Sequence, residues 1–408
     1  MKVAVVGNGV AGVTTARLLA ERDASAEITI FSDERYLYYY RPRLVEVAGN
    51  RVTPDEICAY SADWYAERRI GVVLGTAVTD IDPAEHRLTL SDGSSAGYDR
   101  LVLATGASAW VPPILGADMP GVRTLRTMTD ALALRDAAEA GTRVLVLGGG
   151  LLGLEVAAAL SGRGVRVSVV EVSDRLLPRQ LDREGAAVLQ ERIERNGVEI
   201  ITGDSCMVIQ GEGHAQRCVL KSGQVVGFDC IVVSAGARSN TSLAQRAGIA
   251  CGRGAVVNDR LQTSAPDVFA VGDVAEYEGR IWGIVPAALA QARVVAAQLA
   301  GDESVLYKDI VPSTTLKVTG IDVTSIGEAI PEAPGATMVC SVRSAEGAYS
   351  KLVIRKGRVV GAIMVGSRAK LRAVNLLMSN GTDVSAHVPS LLSDGFDLIG
   401  LARQRVPA

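Results

Sequence analysis

Residues 2–12, KVAVVGNGVAG, decide how the rest of the chain is read. Val3 to Val6 form an unbroken apolar run of the kind that a parallel strand covered on both faces requires. Gly7, Gly9 and Gly12 follow at the G-x-G-x-x-G spacing, and a helix is expected from there through about Arg22. In such a turn the first glycine permits the tight bend, the second lets a pyrophosphate approach the backbone, and the third lets helix and strand pack closely. The helix adds free N–H groups and a positive dipole end. A single fingerprint also fits a glycine turn that holds nothing, so the remaining chain has to arbitrate.

It does so by repetition. Residues 143–153, RVLVLGGGLLG, restate the device, with Val144 to Leu147 as the strand and Gly148, Gly150 and Gly153 at the same spacing. Glu171 closes the next apolar run, 23 residues beyond Gly148, where a ribose-binding acid is expected. Two such units imply two dinucleotides, and bringing a flavin and a nicotinamide together is the chemistry that most simply uses both.

The 408 residues, 48% hydrophobic and 21% charged, exceed what one core holds, so two to four domains are expected. A net charge of −3 gives no reason to expect a nucleic-acid or membrane partner. Even Ile284 to Ala300 is interrupted by Gln291, Arg293 and Gln298, so no membrane span is expected. Asn8, Thr14, Thr15 and Arg17 break the N-terminal apolar region, which therefore reads as strand and helix, in a cytoplasmic protein. The six cysteines include no C-x-x-C or C-x4-C pair and the three histidines are scattered, so neither a metal site nor a local redox disulfide is signalled.

Along the chain, residues 27–31 (EITIF) read as a second strand, after which Ser32, Asp33 and Glu34 offer acceptors for a ribose, without the spacing choosing among them. Residues 36–44, YLYYYRPRL, are conspicuous in a chain with 4% aromatic residues. Arg41 there suits a phosphate or flavin edge, although an aromatic loop capping the sheet fits as well. A helix is expected at 59–68, a strand at 101–103, a sharp turn at Thr105-Gly106, a proline-rich linker at 110–120 and a helix at 129–140. Residues 231–240, IVVSAGARSN, echo LVLATGAS at 101–108. Gly272-Asp273 end the strand 268–271, where Asp273 suits a ribitol hydroxyl or a plain turn. Pro286 starts a helix through 300 whose N-terminus suits a flavin pyrimidine. Beyond Tyr307 the pattern changes to strands at 314–318, 322–326, 337–342, 350–355 and 359–365 and a helix at 371–379, with Lys317 a lone lysine among apolar residues. The fold class is therefore α/β: two Rossmann-like dinucleotide-binding domains, at 1–109 with 231–303 and at 110–230, the first split by the second, followed by an α+β domain at 304–408.

Four motifs in this order, GNGVAG at Gly7, LATGA at Leu103, GGGLLGLE at Gly148 and FAVGD at Phe269, resemble FAD-dependent pyridine nucleotide oxidoreductases of the glutathione-reductase-like fold. Within that group, SDERYLYYYRPRL at Ser32, ADWY at Ala62, RQLDREG at Arg179 and LKVTGID at Leu316 are similar to NADH:rubredoxin oxidoreductases. The resemblance implies cofactor contacts at Gly7, Gly9, Val10, Ala11, Gly12, Ser32, Asp33, Arg41, Val78, Ala104, Thr105, Gly272, Asp273, Val285 and Lys317 for FAD. For NADH it implies Gly148, Gly150, Leu152, Gly153, Glu171 and Gly236. Glu155 would lie near both rings, and Glu155 and Lys317 are the candidates for a catalytic part.

The activity implied is electron transfer from NADH through FAD to a rubredoxin or a related small iron carrier. An acidic carrier would dock either on Arg41 and Arg43 or on Lys351, Arg355, Lys356, Arg358, Arg368, Lys370 and Arg372. The alternatives are an NADH oxidase, a nitrite-reductase-type flavin subunit, or a flavin-bound redox-sensing or interaction protein. Two departures bear on these. Thiol-dependent relatives carry a redox cysteine in the region occupied here by Tyr36 to Leu44, where no cysteine occurs before Cys58, and Glu46 stands where ferredoxin-reductase relatives carry a lysine.

Overall fold

The computed structural model describes all residues except 310–312, 319, 332–334, 344–346, 394 and 404–408, and only the backbone of 313–318 and 340–343. Strand β1 (Lys2–Val6) leads through the glycine turn into helix α1 (Val10–Arg22) and strand β2 (Glu27–Phe31). β1 is the middle of a five-stranded parallel sheet, with β2 and Ile70–Val73 on one side and Arg100–Leu103 and Val268–Ala270 on the other. Its strands are almost wholly apolar because both faces are covered, in part by α1 packed against the helix Val285–Leu299. α1 turns Ala11, Gly12, Ala16 and Leu19 to this core, small residues that let it lie close to the sheet.

The second unit repeats the plan. Arg143–Leu147 is central, flanked by Arg166–Glu171 with Glu199–Thr202 and by Cys230–Val233 with Val122–Arg123. The registers coincide. Val6 is paired with Phe31 and Leu103, and Leu147 with Val170 and Val233, so LVLATGAS and IVVSAGARSN occupy the same place in the two sheets. One boundary shifts as a result. Cys230–Val233 belongs to the second sheet, and the chain returns to the first only after a two-stranded ribbon in which Ala237–Ser239 pairs with Ala107–Ala109, so a crossover at 231 comes too early.

The C-terminal unit is an antiparallel sheet ordered Ser313–Val318, Ile321–Gly327, Arg358–Val365, Ala348–Arg355, Thr337–Arg343, covered by the helices Leu371–Asn380 and Leu398–Arg403. A single apolar cluster joins Leu44 and Ile57 of the first unit, Leu154 and Leu189 of the second, and Tyr349 and Val365 of the third. At that junction Asp182, the N-cap of Arg183–Arg195, accepts from Tyr349 Oη at 2.7 Å and from buried Lys351 Nζ at 2.8 Å. Two expected helices are shorter than their periodicity suggested. Ser61 Oγ accepts from Trp64 N and starts one at Ala62–Glu67, and the capping box of Thr127 and Asp130 starts the other at Met128–Ala137.

Candidate cofactor sites

The three glycines of the first fingerprint are needed for three different reasons. Gly7 has φ +115°, and a Cβ there would stand 2.2 Å from the Ala104 carbonyl oxygen. A Cβ on Gly12 would stand 2.1 Å from the Gly7 carbonyl oxygen, so the close seating of α1 on β1 requires its absence. Gly9 has ordinary dihedrals and nothing within 4 Å of its Cβ position, because it faces open space as the N-cap of α1. No side chain caps that helix end, and its first turn carries no acidic residue. Beside it, buried Asn8 accepts from Tyr65 Oη at 3.2 Å while its Nδ2 finds no partner among the described residues.

These features border a cavity of about 890 Å³ at the C-terminal ends of the parallel strands. Of the FAD contacts anticipated, Gly7, Gly9, Val10, Ala11, Ser32, Asp33, Arg41, Val78, Ala104, Thr105, Gly272, Asp273 and Val285 line it, whereas Gly12 lies beneath as packing. Val285 opens a helix capped by no side chain and with no acid in its first turn, so that positive dipole end also meets the cavity. Lys317 sits on the strand Ser313–Val318, and its side chain falls outside the described residues.

One wall is a continuous polar chain. Glu34 is paired with Arg41 at 2.7 Å and accepts from Tyr39 Oη at 2.5 Å. Arg41 donates to Tyr39 Oη and, at 2.7 Å, to the Arg126 carbonyl. Arg126 in turn pairs with Asp273 at 2.6 Å and donates to the Ala107 carbonyl. Arg41 and Asp273 are therefore preorganised by protein partners. Arg126 is a cavity-lining residue that sequence reading missed, since nothing in the sequence around it marks a contact with Asp273, 147 residues away. An orphan amide, two uncapped helix ends, a cradle closed to any Cβ and a guanidinium-rich wall fit a pyrophosphate-bridged flavin dinucleotide.

The second fingerprint has the same build. A Cβ on Gly148 would lie 2.3 Å from the Ser234 carbonyl oxygen and one on Gly153 2.0 Å from that of Gly148, while Gly150 faces open space. Glu171 is 7% exposed and accepts from Gly149 N at 2.7 Å and Ser173 N at 2.8 Å, so its carboxylate is fixed at the lip of the turn with acceptor capacity remaining. The strand registers put Ser32 at the equivalent place in the first unit. Next to Glu171, Val172 is 70% exposed. Gly236, with φ +110°, lies in the bend between the strand Cys230–Val233 and the ribbon.

The second turn reaches the first cavity at Leu152. It belongs to the second fingerprint, yet it lines the first cavity. Three residues on, half-buried Glu155 has its carboxyl pushed up to about 7 by burial. Glu155 is not among the residues that line the cavity.

One expectation needs correction. The docking faces expected from charge are paired in part within the chain: Arg43 is bonded through Nε and Nη2 to Glu46 at 3.0 and 2.8 Å, Lys351 is buried against Asp182, Arg355 pairs with Glu328, and Arg368 pairs with Asp322. The strand alternation turns Lys351 inward, which charge counting does not reveal. Cys206 and Cys218 lie on neighbouring strands of one hairpin, opposite Leu220 and Ile209, and both are free thiols. No cysteine is among the described residues lining the cavity; Cys58 is bridged to Tyr39 with its thiol pKa raised by burial. Among the described residues no group of three potential metal ligands occurs and no helix is long and apolar enough to cross a membrane.

Residues 1–292 match the family described as pyridine nucleotide-disulphide oxidoreductase, and residues 312–382 match the rubredoxin NAD+ reductase C-terminal domain. The assimilatory nitrate reductase electron transfer subunit of Bacillus subtilis is 34% identical over 92% of this chain and 49% of its own length. NADH-rubredoxin oxidoreductase of Clostridium acetobutylicum is 30% identical over 90% of this chain and 91% of its own. The covalent putidaredoxin reductase–putidaredoxin complex has a chain that superposes with a TM-score of 0.83 at 28% identity, covering 93% of each chain. The chain spans about half the length of several curated relatives that it matches.

Proposed function

The chain belongs to the pyridine nucleotide-disulphide oxidoreductase family and is an NAD(P)H-dependent FAD oxidoreductase; on that premise we propose that it delivers the electrons of NADH to a rubredoxin or a closely related iron carrier. The observation that carries the reading is Leu152, a residue of the second nucleotide turn set in the wall of the first cavity. Bound there, FAD supplies the redox chemistry, accepting a hydride equivalent and releasing electrons singly. The protein's part is to hold and bias. Gly9 and the N-terminus of α1 receive the pyrophosphate, and Asp273, oriented by Arg126, accepts from the sugar chain. The dipole end at Val285 favours negative charge on the ring, and Leu152 with Gly150 sets the nicotinamide approach. Glu171 accepts from an adenosine ribose, and with exposed Val172 in place of a cation it favours NADH over NADPH.

The acceptor is inferred from the C-terminal match over residues 312–382 and from the full-length similarity to the C. acetobutylicum protein. Among the described residues no cysteine lines the cavity, which speaks against thiol relay beside the flavin. A second reading, electron-transfer subunit of a nitrate or nitrite reductase, is favoured by the similarity to the B. subtilis subunit. Double-mixing stopped flow tests the proposed acceptor: enzyme reduced by NADH is mixed with rubredoxin, or with air alone. Reoxidation by rubredoxin much faster than by air supports the proposal; carrier-independent reoxidation assigns an oxidase instead.

A further inference from the structure

Four of the described residues that line the first cavity are arginines: Arg17, Arg41, Arg126 and Arg246. Three of them have a carboxylate within hydrogen-bonding distance, Glu21 for Arg17, Glu34 for Arg41 and Asp273 for Arg126. Arg246 differs. Its Nη2 donates to the neutral Thr79 carbonyl at 2.6 Å, and its Nε stands 4.0 Å from Asp80 Oδ1, too far for a hydrogen bond.

Local structure explains how it comes to be there. The strand Val78–Asp82 pairs with Arg87–Leu90, and its register slips between Val78 and Asp80. Such a bulge leaves one residue, here Thr79, out of the ladder, and Arg246 takes up its carbonyl. On the other side, the chain returning from the second unit is pinned at Asn240, whose N donates to the Gly106 carbonyl at 2.9 Å and whose Nδ2 donates to that of Thr105 at 2.8 Å. The short helix Ser242–Arg246 follows, and its residues 242, 243 and 246 share the face that borders the cavity. Ser32 tells which end of the cavity this is. Thr76 N donates to the Ser32 carbonyl at 2.9 Å, so Ala77 and Val78 border the cavity beside the ribose position, and Arg246 is anchored at the next residue, Thr79.

We propose that Arg246 stacks its guanidinium on the adenine of FAD and so makes the first cavity select the dinucleotide over flavin mononucleotide. The inference rests on the reading of Ser32 as the adenosine end. All donors of a guanidinium lie in its plane, so an arginine held by a carbonyl at its edge keeps its faces free of hydrogen bonds. Those faces are weakly hydrated and lie flat on aromatic rings, to which the charge adds attraction. A lysine at the same place would carry the charge without the plane.

The test uses the FAD-loaded full-length protein and follows FAD release by its fluorescence, on dilution and in competition with flavin mononucleotide or ADP. In Arg246→Ala, release on dilution is expected to be about 5- to 30-fold faster, and flavin mononucleotide should displace FAD at a concentration lower by the same factor. The ratio of ADP to FAD at half displacement should stay as in the parent, because both ligands lose the same contact. Arg246→Lys should recover little of the loss, and Arg246→Met replaces the alanine variant if that folds poorly. Parent-like release and competition in Arg246→Ala overturn the proposal. Faster release with an unchanged flavin mononucleotide ratio overturns it too, since the cavity is then loosened as a whole, and parent-like retention in Arg246→Lys assigns the effect to charge and refutes stacking. Displacement of FAD from the parent by an equal concentration of flavin mononucleotide refutes the adenosine end itself.

Discussion

Replacing Gly9 by alanine separates cofactor binding from folding, because the structure gives the three fingerprint glycines different neighbours. At Gly9 φ is −87° and ψ is −176°, dihedrals that alanine adopts, and its Cβ would meet nothing within 4 Å. Losing glycine at an N-cap costs roughly 0.5–1 kcal/mol, and the smaller unfolded-state entropy returns about 0.4–1 kcal/mol, so the apoprotein should be nearly unchanged. With FAD in place the methyl occupies the space through which the pyrophosphate approaches the helix end. Overpacking of about 1–3 kcal/mol there corresponds to roughly 5- to 160-fold weaker FAD binding. Gly12→Ala behaves oppositely, since its Cβ stands 2.1 Å from a backbone oxygen and the whole strand–helix contact has to move. The assay pairs thermal melts of the apoproteins with FAD titration by flavin fluorescence. The reasoning is refuted if Gly9→Ala binds FAD like the parent protein, or if its apoprotein melts as low as that of Gly12→Ala.

Three further outcomes follow from the same geometry. Arg126→Ala leaves Asp273 without its ion-pair partner and should weaken FAD retention on gel filtration by about tenfold or more, with Arg126→Lys intermediate. Val172→Arg together with Glu171→Ala should move kcat/KM from NADH toward NADPH, and an unchanged ratio would contradict the assignment of the ribose lip. Glu155 holds a proton in the folded state up to about pH 7 but ordinarily releases it near 4.5. Its stabilising contribution is thus fully present below pH 4.5 and is lost as pH rises to 7, so Glu155→Gln should flatten the melting temperature across that interval.

Much of the fold was legible because its signals are local. The glycine spacings, the apolar strand preceding each, and the echo between residues 101–108 and 231–240 follow from backbone geometry that only such residues satisfy. Many of the residues that line the first cavity were legible for the same reason, since they lie at strand ends in those motifs. What escaped reading depends on distant approach. Arg126 meets Asp273 only once residues 147 apart are brought together, and Lys351 is buried because an aspartate from another unit reaches its strand.

The most direct test of the central claim, that the two nucleotide sites converge at Leu152, is anaerobic single-turnover mixing of the FAD-loaded protein with NADH, followed at the flavin absorbance. Convergence predicts stoichiometric bleaching by NADH, slowed in Leu152→Arg while FAD remains bound. A flavin that stays oxidised in the presence of bound NADH, or bleaching indifferent to Leu152→Arg, would contradict it.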